Sequence, residues 1–76
     1  MLPDRFFVVN PYSIKGGLTI ALEFSKAIGT SFNAGSWMRP CSVEIPTDAV
    51  EADIARELLK ETGVAFHESP WDLARG

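Results

Sequence analysis

Between Arg5 and Ile28 the chain reads as an apolar strand, a short loop and a long apolar helix, and no other stretch restricts the fold as much. Phe6, Phe7, Val8 and Val9 are aromatic or β-branched, side chains that suit a pleated, buried surface. Alternation puts Phe6 and Val8 on one face and Phe7 and Val9 on the other, so the strand should be central and covered on both sides. Asn10-Pro11 ends it, because proline has no N–H for the ladder and biases its predecessor away from the helix. The helix is predicted from Gly17 or Leu18 to Ile28. Only Thr19, Glu23 and Lys26 make its polar side; Leu18, Ile20, Ala21, Leu22, Phe24, Ala27 and Ile28 wrap over half of the circumference. A helix lying on a sheet needs an apolar stripe of roughly 100° or slightly more. The surplus calls for a second helix or another chain.

Gly29 is placed to end this helix in the left-handed conformation. From Thr30 to Ile45 the helical period is lost. Asn33-Ala34-Gly35-Ser36 is a turn-forming cluster, and a hairpin with arms Thr30–Phe32 and Trp37–Ile45 is predicted. Pro40 implies a bulge or a missing ladder bond, beyond which Cys41, Val43 and Ile45 share a face. A second helix begins at Pro46-Thr47-Asp48, where Asp48 and Glu51 have capping-box spacing and Thr47 is the other candidate cap. Val50, Ile54, Ala55, Leu58, Leu59 and Thr62 form its expected core stripe, and Asp53, Arg56, Glu57 and Lys60 its wet face. Gly63 should stop it. Val64 to His67 reads as a strand with Val64 and Phe66 facing together. Ser69-Pro70-Trp71-Asp72 has the form of a helix start, so a short terminal helix or an ordered tail pinned by Trp71 is expected.

The element order is therefore βαββαβ. Such a chain can fold as a small two-layer α+β sandwich, ferredoxin-like, with both helices on one face of an antiparallel sheet. The alternative is a three-stranded α/β unit with helices on opposite faces, Thr30 to Ser36 being loop. In the first arrangement one face of the sheet lacks helices, and the doubly apolar first strand then predicts a second subunit over it. Residues 1–76 suit a single small α+β domain with a thin core, for which oligomerisation is a common supplement.

Formal net charge is −3, which disfavours non-specific binding to nucleic acid or anionic membranes, and the seven Lys and Arg residues are scattered. Cys41 is the only cysteine, so an intrachain disulfide and a cysteine-based metal site are both excluded. No signal-peptide pattern and no membrane-spanning run is present in this stretch, and a cytoplasmic location is the expectation.

Few motifs are complete. Lys15-Gly16-Gly17 lies where a phosphate loop would, between strand and helix, but the lysine and hydroxyl that should follow the glycines are missing. Tyr12 and Lys15 are similar to the catalytic tyrosine and lysine of short-chain dehydrogenases. Their separation is three instead of four, which turns the lysine by about 100° on a helix. His67 and Glu68 suggest half of an acid–base site, yet neighbours on a strand point to opposite faces. The acids Asp48, Glu51, Asp53, Glu57 and Glu61 are interrupted by Arg56 and Lys60, which reads as a solvated helix face and not as a metal site. Cys41 reads as a small core residue.

The expectation is a non-enzymatic protein–protein interaction module without cofactor or metal: a small inhibitor or adaptor that occludes a larger protein, itself a homodimer. Its anchors would be Trp37 and Trp71, with Phe7 and Val9 on the surface strand face. The alternative is a small oligomeric enzyme or ligand-binding protein with an inter-subunit site built from Tyr12, Lys15, His67 and Glu68.

Overall fold

A computed structural model describes residues 5–36 and 40–70. In chain order the elements are β1 (Arg5–Asn10), α1 (Gly17–Ile28), β2 (Phe32–Asn33), β3 (Cys41–Glu44), α2 (Ala49–Thr62) and β4 (Ala65–Pro70). The strands form one sheet in the order β2-β3-β1-β4, and every neighbouring pair is antiparallel. This is the predicted split-βαβ, ferredoxin-like arrangement, and it displaces the three-stranded alternative. Phe32 and Asn33 pair with Val43 and Ser42, while α1 and α2 both contribute to one core on one face.

The register explains that core. Phe7 stands between Val43 and Glu68, and Val9 between Cys41 and Phe66. Ala21 and Phe24 descend from α1, and Ala55 and Leu59 from α2. The Phe7 ring meets Phe24 and Phe66 edge-on, at centroid distances of 5.8 and 5.7 Å, an arrangement favoured by the ring quadrupoles. Phe7 and Val9 have no exposed area, so they are the centre of the core and not a partner surface. The helix-free face carries Phe6 and Val8 instead. These are each only 8% exposed within the single chain, and their neighbours Ser42 and Ser69 are buried as well. The demand for a second subunit over this face is therefore absent.

The helix ends follow local chemistry. Gly29 and Gly63 take the left-handed conformation, with φ of 76° and 85°, and close the C-termini of α1 and α2. Asp48, not Thr47, caps α2: its carboxylate accepts the Glu51 N–H at 2.9 Å. The loop before α1 is tied down by Asn10, whose side chain accepts from the Tyr12 N–H at 2.9 Å, and by Ser13. The Ser13 hydroxyl donates to the Asn10 carbonyl at 2.8 Å and accepts from the Ala65 N–H at 2.8 Å, joining this loop to β4.

Three expectations are corrected. Asn33 belongs to β2 and not to the turn; its side chain accepts the Gly35 N–H at 2.9 Å and starts the reversal. Ser69-Pro70 does not open a helix, because β4 runs through both, pairing them with Phe6 and Arg5. The predicted tail from Trp71 lies outside the described residues. Finally, α2 does not bury its whole stripe. Ala55 and Leu59 are buried, but Val50, Ile54 and Leu58 are 66%, 55% and 43% exposed. Val50 to Leu59 spans about 180° of the helix at 100° per residue, more than contact with one sheet can cover.

Candidate functional site

The exposed part of that stripe forms the floor and one wall of a groove. Ile54 and Leu58 of α2 face Ala27 and Ile28 of α1, with Pro46 and Glu51 at one end, around a volume of about 260 Å³. Val50 continues the row one turn earlier, so residues 50, 54 and 58 lie along the helix at successive turns. Scattered exposed apolar residues are ordinary, but three in a line beside an open inter-helix groove form a patch of the kind that marks interaction sites.

A charged cluster occupies the other side of α2. Arg56 was expected on the wet face, yet it reaches the sheet and grips Glu68, which projects from β4 on the helix face opposite Phe7. Nε and Nη2 of Arg56 donate to the two Glu68 oxygens, the second at 3.0 Å, and Nη1 donates to Asp53 at 2.6 Å. Arg5 adds a longer contact to Glu68 at 3.4 Å. The hydrogen bonds from Arg56 above all, aided by its charge and by Arg5, hold the Glu68 carboxyl below its ordinary range. The same pairing raises Arg56 further above its usual value. Both side chains are about three-quarters buried, so solvent screens the pair only in part.

A depressed folded pKa means stability that is present above the unfolded carboxylate value and lost as pH falls through the folded one. Glu68→Gln should therefore cost about 1–3 kcal/mol at pH 7. In urea titrations the gap between wild type and variant should close as pH drops below the ordinary value of 4.5. A gap that is unchanged at pH 3 would remove the charge from this account.

The residues of the enzyme alternative do not converge within the chain. Tyr12 is 87% exposed and Lys15 is exposed, both in the β1–α1 loop. That loop meets the Ala65 end of β4, whereas Glu68 lies near the other end and is committed to Arg56 and Arg5. His67 is exposed on the helix-free face, opposite Val8. Gly16 and Gly17 serve the turn: Gly16 is left-handed at φ 73°, and the Gly17 N–H donates to the Ile14 carbonyl at 3.1 Å. Cys41 is fully buried, its thiol donates to the Val9 carbonyl at 3.4 Å, and burial pushes its pKa up, against a nucleophilic role. Among the described residues no cluster of three His, Cys, Asp or Glu side chains is placed to hold a metal ion, and no helix is long and apolar enough to cross a membrane. Trp37 and Trp71 lie outside the described residues.

Fold and groove together define a small ferredoxin-like α+β sandwich with an apolar cleft between its helices. Comparisons with protein-family models, with curated proteins and with solved structures give no match.

Proposed function

We propose that the chain is a protein–protein interaction module, a small inhibitor or adaptor that acts by docking on and occluding a larger protein. The observation that carries this reading is the exposed row Val50, Ile54 and Leu58 beside the α1–α2 groove. Holding such a row in water forgoes stabilisation of about 25 cal/mol for each Å² that burial would remove from solvent, which a partner surface would recover. These side chains are not part of the buried core, to which α2 contributes Ala55 and Leu59 with Ala52 packed against them. The enzyme reading has less support, because its one strongly placed acid, Glu68, is spent on Arg56 and Arg5. Phe6 and Val8 are each 8% exposed within the single chain, so that face lends no support to self-association.

The test is affinity capture from the native host with wild type and with Ile54→Asp side by side. Ile54 is 55% exposed, so the substitution should leave the circular dichroism and the unfolding midpoint nearly unchanged. A protein recovered by wild type and lost with Ile54→Asp supports docking through the groove. Equal recovery by both, or none by either, counts against it.

A further inference from the structure

Resting on that docking reading, we infer that the groove takes a basic amphipathic helix: a partner segment with an apolar stripe flanked by lysine or arginine. Two features of the groove converge on this occupant. The first is shape: Ile54 and Leu58, four residues apart, line a cleft between two helices with exposed Val50 beside it, and a third helix can lay its own i, i+4 ridge there. The second is charge. At 100° per residue Glu51 and Glu57 stand about 60° to either side of Ile54, and Glu61 lies within about 20° of it. Glu51 and Glu61 make no ion pair among the described residues, and Glu57 is paired only with exposed Lys60 at 3.4 Å. On the α1 side, Glu23 and Lys26 offset each other at 3.9 Å. The α2 side of the groove is thus acidic, through Glu51 and Glu61, while the α1 side is near neutral.

The same rim argues against a second copy of this chain. A twofold pairing of α2 with α2 would bring two copies of the same acid-rich side into one interface, adding no cation beyond Lys60, which already pairs with Glu57. Like charges so placed repel, whereas cations on the partner would be steered in and held in register.

The probes are three synthetic 14-residue peptides: a leucine–lysine amphipathic helix, its leucine–glutamate counterpart, and a scrambled leucine–lysine peptide of equal composition. Binding is read by fluorescence anisotropy at low and at 0.5 M salt. The lysine helix should bind at least tenfold more tightly than either control. Leu58→Ser should weaken it at least tenfold, and Glu51→Lys with Glu61→Lys should weaken it several-fold while flattening its salt dependence. Equal binding of the scrambled peptide, or indifference to Leu58→Ser, would reduce the effect to diffuse charge attraction and overturn the inference. Tighter binding of the glutamate helix, lost with Leu58→Ser, would overturn the charge preference and leave docking at the groove standing. Absence of binding by all three would overturn the proposal, as would a sedimenting dimer abolished by Leu58→Ser, which assigns the groove to a second copy.

Discussion

Phe7→Ala should lower the free energy of unfolding by about 3–5 kcal/mol, measured by urea titration at neutral pH. Phe7 has no exposed area, is edge-on to Phe24 and Phe66, and lies in β1, an inner strand of the four-stranded sheet, within the core that both helices share. Its removal leaves a void beside Phe24 of α1, Phe66 of β4 and Val43 of β3. Small domains typically have about 5–15 kcal/mol in total, so much of the variant should be unfolded at 37 °C. Ile54→Ser provides the contrast. It deletes a similarly greasy side chain from the groove and should change stability by less than about 1 kcal/mol. Comparable losses at the two positions would mean that the groove is structural packing, and the docking reading would lose its physical basis.

The second large effect is expected at Gly17. A Cβ at this position would run into the backbone carbonyl of Pro11, which cannot retreat because the loop is tied through Asn10 and Ser13 to β1 and β4. Gly17→Ala should therefore cost about 2–3 kcal/mol, a penalty set by overpacking against backbone. Gly16→Ala meets no neighbouring atom and bears only the strain of a left-handed residue, about 1 kcal/mol. Equal costs, read from the same denaturation curves, would show that the close approach to Pro11 is not what keeps residue 17 a glycine. The pair separates a role in chain geometry from a role in binding an anion, for which loss of the second N–H or of Lys15 would matter more than a methyl group.

Much of the architecture was legible because local signals agreed. The aromatic and β-branched residues from Phe6 to Val9, the Asp48 cap and the glycines at 29 and 63 each act within a turn of themselves. The element order then left few topologies to choose from. What could not be read was which apolar residues a neighbour would cover. Phe7 and Val9 were indistinguishable from Phe6 and Val8 until the helices chose a side. The α2 stripe looked like core throughout because hydrophobicity does not record where a sheet ends. The excess of apolar surface was assigned to α1, where Leu18 is 47% exposed and Ile20, Leu22 and Ile28 are half-buried. It emerges most clearly on α2. Arg56 was misplaced for a similar reason: its partner Glu68 comes near through the pairing of β1 with β4, and no local spacing announces that encounter.

That pairing also sets a schedule. β1 is synthesised first, yet its outer neighbour β4 holds Ala65 to Pro70, so the earliest strand must wait for the latest described one. The side of β1 turned away from β3 has no strand to pair with until β4 has emerged. The same strand supplies Phe66 to the ring of Phe7 and Glu68 to the guanidinium of Arg56, so both contacts depend on its arrival.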